Sequence, residues 1–432
     1  MITRTRLFLT AIILSLPFKA FALDLTDVYN TLGNAFYNMI DKNEGMTSFQ
    51  SLNIPCGGRE ESLGSAFTGL ADDICFFDYN PAASCLLKNG EVALFHNSWI
   101  ADSNMETLAW ADRFGDLGLG AKLKCFYTPF TEYNYFGDRV AGNYYSETTG
   151  CLNASYNFFH GYYFKGLAVG GNLKAAWRSI PDYTNNETNA VIKGSGLAQS
   201  ALGLMGDVGV MMTFDAFKSF DSRDANLRVG LSAVNLGVSL KGFGSQGSFG
   251  LDDPLPSALC AGASYRLLKF LAFTADFRQP MNFQNISKSG LWSAGIGVDW
   301  TVTNYLEFMA GFRLKGGNPR FSLGSEFKIK KFIFDVNYTF DLTSSLNPVN
   351  HFSLSARVAL GDRGRKIKRE MCDKYYTLGL DEYAKGNYDE AVKWWTEALK
   401  EDKSFTPAKK WIETVRGSQR LYNRVLDIQS LD

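Results

Sequence analysis

Between residues 91 and 360 apolar and polar residues alternate with a period of two, the mark of β-strands with two unlike faces. In Leu117–Tyr127, Leu117, Leu119, Ala121, Leu123 and Cys125 share one face; Gly118, Gly120, Lys122 and Lys124 share the other. Leu167–Arg178 likewise opposes Leu167, Val169, Leu173, Ala175 and Trp177 to Ala168, Asn172, Lys174 and Arg178. Leu202–Phe214, Leu271–Gln279, Trp292–Trp300, Leu306–Leu314, Phe321–Ile329, Phe332–Phe340 and Phe352–Leu360 follow the same rule. Weaker runs at 91–100, 105–114, 147–159, 226–236 and 257–267 bring the predicted strands to fourteen.

The face opposite the apolar one carries small and charged residues, which build no dry core. A water-soluble sandwich turns its apolar faces inward. A transmembrane barrel turns them to lipid and its polar faces to the lumen. The connections favour the barrel. Those at 115–116, 160–165, 215–225, 268–270, 301–304 and 330–331 are mostly shorter than those at 101–104, 128–146, 179–199, 237–256, 280–290, 315–319 and 341–350. Such parity matches short periplasmic turns and longer outer loops. Trp99, Trp177, Trp292 and Trp300 fall near strand ends, where aromatic girdles meet headgroups. The expected fold is therefore an all-β transmembrane barrel of about 14 antiparallel strands over 91–360.

The flanks read differently. Met1–Ala22 has a basic start, the apolar run Leu7–Leu16 and an Ala20-Phe21-Ala22 cleavage site, so it reads as a signal peptide of an exported protein. Residues 23–90 read as an N-terminal helical hatch. Leu25, Val28, Tyr29, Leu32, Phe36, Met39 and Ile40 have helical spacing, and a second stretch puts Leu63, Ala66, Phe67 and Leu70 on one face. Neither is long enough to span a bilayer. Residues 361–371 form a basic linker with Arg363, Arg365, Lys366, Lys368 and Arg369. Residues 372–432 resemble a tetratricopeptide repeat, through Leu378, Gly379, Gly386, Tyr388, Ala391, Trp395 and Ala398, with Pro407–Asp427 as a capping helix. Glu382 and Lys403 stand where that pattern has an aromatic residue and a proline. A lone repeat leaves its stacking face open, so the barrel floor or a periplasmic protein partner should cover it.

Composition and charge narrow the function. The 41 Gly, 34 Phe, 20 Tyr and 8 Trp suit amphipathic strands. Basic and acidic residues number 44 each, so no net field attracts nucleic acid. His96, His160 and His351 are too far apart for a zinc site, and no catalytic constellation or cofactor motif converges, so no enzyme is expected. Gly242–Gly247 fits a dinucleotide fingerprint, but Gly250 and Asp252-Asp253-Pro254 follow where a helix is needed. The seven cysteines are an odd, irregular set; Cys75 and Cys85 are either a pair or small buried residues.

At Glu61–Ala83 the chain reads ESLGSAFTGLADDICFFDYNPAA. Gly64, Ala66, Gly69, Ala71, Asp72 and Asp73, followed by Asn80-Pro81-Ala82, resemble the signature of the FadL-like outer-membrane barrels. LFHNSWI (Leu94–Ile100) is similar to an uncharacterised FadL-like group in spirochaetes. The resemblance implies uptake of long-chain fatty acids or other hydrophobic molecules across the outer membrane, through a barrel plugged from the periplasmic side. On that reading Asp72, Asp73, Asn80, Pro81 and Ala82 belong to the hatch or gate. Pro81 removes a backbone donor and holds Asn80 extended, which fits a hinge or an ordinary turn into the first strand. The alternative function is a scaffold barrel whose repeat recruits a partner.

If odd strands run outward, Lys124, Lys174, Arg178, Arg278 and Arg313 face the upper lumen, and Asp299, Glu307 and Glu326 the lower. A cationic mouth over an anionic floor would hold a carboxylate headgroup, with Phe130, Tyr133, Tyr135 and Phe136 of the outer loop Tyr127–Phe136 beside the apolar tail. Asp276 above and Arg228 and Lys328 below break the pattern. The other reading is that lumen charges pair across the pore.

Overall fold

Fourteen long strands close into one antiparallel barrel in which β1 pairs with β15 and β6 with β7. The strands are β1 (Gly90–Ser98), β2 (Asn104–Phe114), β3 (Leu117–Tyr133), β4 (Arg139–Phe158), β5 (Leu167–Ser179), β6 (Ala201–Phe214) and β7 (Leu227–Lys241). A two-residue β8 (Gly250–Leu251) lies in a loop, and the wall continues with β9 (Ala258–Leu268), β10 (Leu271–Pro280) and β11 (Ser293–Thr303). β12 (Leu306–Lys315), β13 (Asn318–Ile329), β14 (Phe332–Asp341) and β15 (His351–Gly361) complete it. This computed structural model describes residues 41–429 except 101, 186–187, 189 and 343–349, together with 31, 34 and 39. The predicted signal peptide and most of the predicted helix over Leu25–Ile40 lie outside the described residues.

Side chains divide as the alternation requires. Leu123, Leu173, Leu231 and Ile296 point out and are 51%, 74%, 58% and 59% exposed, while Lys122, Lys124, Asn153, Lys174 and Asp207 are buried inside. An apolar outer belt round a polar interior is stable only with lipid as the outer solvent. The chain is thus an outer-membrane type of barrel. Among the described residues no helix is long and apolar enough to cross a membrane. Below, the proximal end is where β1 starts and β15 finishes; the distal end is the other.

Three local expectations change. Residues 128–146 are not a loop: β3 and β4 pair as far as Tyr133 and Arg139. The alternation is weak there because neither face is buried, but the ladder satisfies the backbone all the same. Leu63–Leu70 is not a helix; one turn, α1 (Arg59–Ser62), is followed by tight turns. Its apolar residues are buried on every side, so helical spacing is no requirement. Trp99 packs inward on His351, ring centroids 4.2 Å apart, rather than joining a girdle.

After a short α2 (Ser195–Gln199) in the β5–β6 loop, the remaining helices belong to a separate unit. It comprises Asn157–Leu167 and Gly361–Asp432. Here α3 (Arg365–Ala384), α4 (Tyr388–Glu401) and α5 (Thr406–Gln429) pack round Trp395, Ala391, Ala398, Phe405 and Ala408. A Cβ on Gly379 would fall 2.3 Å from the Trp395 indole nitrogen, so glycine is what lets α3 and α4 approach. The predicted basic linker is helical from Arg365 onward, since residues 365–378 contain no glycine or proline to interrupt α3. Tyr162, from the β4–β5 turn, packs edge-on against Phe405 at 5.0 Å and joins this core. Within this unit α5 and the turn cover part of the repeat.

Candidate functional site

Residues 48–87 fill the lumen. Leu63, Phe67, Leu70, Ile74, Phe76 and Phe77 form an apolar core against Ala93, Phe95, Ala109 and Met309 of the wall. Small inner-face residues make room for it: a Cβ on Gly118 or Gly311 would lie 2.2 or 2.0 Å from backbone nitrogens of Cys85 and Gly64. The insert is pinned by polar bonds as well. Asn80 donates from Nδ2 to Thr68 O at 3.2 Å and Val210 O at 3.1 Å, and its Oδ1 accepts from Ala82 N at 3.1 Å. Asn153 Nδ2 donates to Pro81 O at 2.9 Å. Pro81 opens a 3-10 helix, Pro81–Leu86, where its missing donor leaves no bond unmade. Asn80-Pro81-Ala82 is therefore an anchored helix start.

Two arginines tie this hatch to the proximal wall. Arg59 bonds Asp72, reaches Asp299 of β11 at 2.5 Å and lies 3.6 Å from Asp73. Arg357 of β15 bonds Glu326 of β13, meets Asp335 of β14 at 2.9 Å and Asp73 at 3.1 Å, and lies 3.6 Å from Glu91. Lys328 adds contacts of 2.6 Å to Glu307 and 2.7 Å to Glu326. The acids expected at the floor are there, committed to these cations. Burial would raise the Asp72 carboxyl, but the Arg59 guanidinium overcomes that and holds it well below the usual range. Above this layer His351 bonds Glu61. Arg59, Glu61 and Arg357 were not singled out from sequence. Arg357 was readable from its inward position between Ala356 and Val358; its hatch partners were not.

Of the five predicted lumen cations, three are engaged. Lys124 donates to Ile54 O at 2.6 Å. Lys174 lies 2.7 Å from Asp207, and Arg178 is 3.0 Å from Asp252. Lys174 and Arg178 are thus paired with acids, whereas Lys124 meets a neutral carbonyl. Arg278 and Arg313 differ. Their contacts are neutral, 3.3 Å to Asn53 Oδ1 and 3.3 Å to Ser65 Oγ. Arg320, which sequence reading missed, sits directly opposite Arg313 in the β12–β13 register and lies over the Trp99 ring at 5.7 Å. Among the described residues no carboxylate comes within 4 Å of these three guanidiniums. Arg278 and Arg313 line a distal cavity with Asn53, Ser65, Thr68, Tyr79 and Asp276. At about 30 Å³ it holds a water or two. Phe130 and Tyr133 lie on the exposed upper part of β3, and Tyr135 and Phe136 at its hairpin tip; none lines the cavity.

A fully buried acid sits at the centre of the hatch. Glu60 Oε1 accepts from Cys56 N at 2.7 Å and Oε2 has no partner. Burial, and then the charge of Asp78, push its carboxyl well above the usual range. The same burial lifts the Cys56 thiol to about 12 against the pull of Lys122. A carboxyl raised in the folded state stabilises fully below its unfolded value, about 4.3, and loses that contribution as pH rises through the folded value. Glu60→Gln is therefore expected to leave stability at pH 5 nearly unchanged and to preserve or raise it at pH 8. Denaturant unfolding in detergent checks this; a larger loss at pH 8 than at pH 5 would contradict it.

The model of the uncharacterised protein family UPF0164 matches residues 31–363, and a tetratricopeptide model matches 372–405. A UPF0164 protein of Treponema pallidum (strain Nichols) is 30% identical over 393 residues, covering 89% of this chain and 86% of that one. A second from the same organism is 26% identical, covering 88% and 78%. Among solved structures the Pseudomonas putida toluene transporter TodX is similar at TM-score 0.46 and 12% identity, covering 70% and 97%. The CymD monoaromatic hydrocarbon channel is similar at TM-score 0.47 and 14% identity, covering 71% and 97%. A Pseudomonas aeruginosa FadL homologue gives 0.40 and 10%, covering 69% and 97%.

Proposed function

This chain belongs to the uncharacterised protein family UPF0164, and we propose that it is an outer-membrane channel for uptake of amphipathic molecules such as long-chain fatty acids. The observation that carries this reading is the set of arginines without carboxylate partners, Arg278, Arg313 and Arg320, at the distal end above a lumen closed by the hatch. Arg313 and Arg320 are direct cross-strand neighbours, and like charges so placed repel; Asp341, opposite Arg320 on β14, offsets this in part without closing to within 4 Å, and an added anion would offset the rest. A carboxylate there would accept charge-assisted bonds from planar forks. Loop parity supports a distal end that faces outside and a proximal end that faces the periplasm.

The cavity of about 30 Å³ admits a headgroup but no alkyl chain. Uptake on this reading requires segment 52–55, which lines the cavity, to yield. The module contributes a tetratricopeptide element of the kind that binds proteins, with Leu421 and Tyr422 exposed on α5.

The test compares a fatty acid with its methyl ester. Changing Arg278 and Arg313 together to Gln is expected to weaken acid binding about tenfold or more, the worth of a hydrogen bond to a charged group, and to leave the ester unaffected. Arg178→Gln should matter less, because Arg178 is paired with Asp252. Equal binding of both ligands by both proteins would overturn the assignment.

A further inference from the structure

The proximal mouth holds a second set of cations, on the other side of the hatch. β7 and β9 pair with Arg228 opposite Ser264 and Leu227 opposite Tyr265. Arg266 lies two positions beyond Ser264, so it shares the face of Arg228 and is its diagonal neighbour. That face is the inner one: Val229 and Leu231 on β7, and Leu259 and Leu267 on β9, are the exposed residues. Diagonal neighbours are within reach of long side chains, and like charges there repel. One nitrogen of Arg228 donates to Leu70 O of the hatch at 2.8 Å, and one of Arg266 to Lys269 O at 3.2 Å. Among the described residues neither arginine, nor Lys269, has a carboxylate within 4 Å.

These groups border a cavity of about 340 Å³ with Asp72, Lys88, Asp221 and Asp224 on its wall. Asp72 is committed to Arg59, and Asp224 lies 3.5 Å from Lys88. Counting Lys88, four cations thus face Asp72, Asp221 and Asp224, and Asp72 is shared with Arg59, so positive charge stays in excess round a space large enough for a tetrahedral anion and its water. The buried Ser264 hydroxyl lies on the same wall. Guanidinium forks bind carboxylate and phosphate through two parallel bonds, and a hydroxyl and an ammonium complete such a cradle.

We propose that this proximal cavity is an oxyanion site, in which Arg228, Arg266 and Lys269 hold a phosphate or carboxylate group beneath the hatch. The site stands independently of the distal arginines. Because Arg228 also anchors Leu70 O, an anion drawn between Arg228 and Arg266 bears directly on the hatch segment Leu70–Asp72.

The experiment uses the full chain in a neutral detergent at low salt, titrated calorimetrically with inorganic phosphate. Saturable binding is expected, weakened about tenfold in Arg266→Gln, in keeping with the loss of a bond to a charged group, and less in Lys269→Gln and Arg266→Lys. Among the described residues neither Arg266 nor Lys269 makes a hydrogen bond or close ion pair to the hatch, and the denaturant midpoint of each variant separates ligand binding from folding. Lys331→Gln, on the β13–β14 turn, removes the same charge and should bind like the parent. A single-chain alkyl phosphate that competes with inorganic phosphate assigns the site to an amphiphile headgroup, and one that does not assigns it to the free ion. Absence of saturable binding, or equal weakening in Lys331→Gln and Arg266→Gln, would overturn the proposal.

Discussion

Arg357→Met is expected to destabilise the protein by about 3–5 kcal/mol, the usual cost of stranding buried charges by removing their partner. Arg357 is nearly inaccessible and meets four carboxylates: Asp73 of the hatch at 3.1 Å, Asp335 at 2.9 Å, Glu91 at 3.6 Å, and Glu326 in direct contact. Met retains the length and removes the charge, so the four acids repel across the hatch–wall boundary. Protonation relieves that repulsion, which makes the loss larger at pH 8 than at pH 5. Two readouts check it: the denaturant midpoint in detergent, and maleimide labelling of Cys75, a buried hatch thiol. Labelling should accelerate at pH 8. An unchanged midpoint with unchanged labelling at both pH values would show that Arg357 does not hold the hatch.

The wall was legible because its physics is local. Lipid outside and a polar insert inside impose a two-residue period on each strand, and the period appears wherever the bilayer does. It fades above the belt, which is why the tall β3–β4 hairpin from Thr128 to Ser146 reads as a loop. The tetratricopeptide helices were legible for a like reason, small residues at Gly379, Ala391 and Ala398 being the seats of large ones. The hatch was not. Between Ser48 and Leu87 nearly every residue is enclosed, so no exposed face imprints a period, and short turns take the place of the helix expected at Leu63–Leu70.

The lumen charges were half legible. Alternation gives which side chains point inward, as for Lys124, Lys174, Arg278 and Arg313. It does not give what the hatch presents to them. Lys124 meets a backbone carbonyl, Lys174 meets Asp207 across the wall, and Arg313 meets only a serine. Those outcomes depend on where residues 50–79 lie in three dimensions. The pair Arg313 and Arg320 depends on a register of β12 on β13 that a two-residue turn fixes, at Gly316-Gly317.

The fit between hatch and wall also predicts how to dislodge it. A Cβ on Gly311 would stand 2.0 Å from Gly64 N and 2.3 Å from the Leu63 carbonyl carbon, both backbone atoms that no rotamer change can move. Gly311 itself is locked in the ladder, opposite Gly297 of β11 and Ser322 of β13. The wall is a closed cylinder of such ladders, whereas Leu63 and Gly64 belong to short turns closed by local backbone bonds, Leu63 N to Arg59 O at 3.2 Å and Gly64 N to Glu61 O at 3.0 Å. The hatch is therefore what yields. Gly311→Ala is expected to cost at least the about 1–3 kcal/mol typical of overpacking, concentrated in hatch docking, while the barrel still assembles and keeps its β-sheet signal. Maleimide labelling of Cys75 and Cys85 should rise severalfold, and single-channel recordings in planar bilayers should reveal a conductance that the parent lacks. Gly150→Ala supplies the control, since a Cβ there meets nothing within 4 Å. Labelling and conductance equal in Gly311→Ala, Gly150→Ala and the parent would mean that Leu63 and Gly64 do not seat against β12.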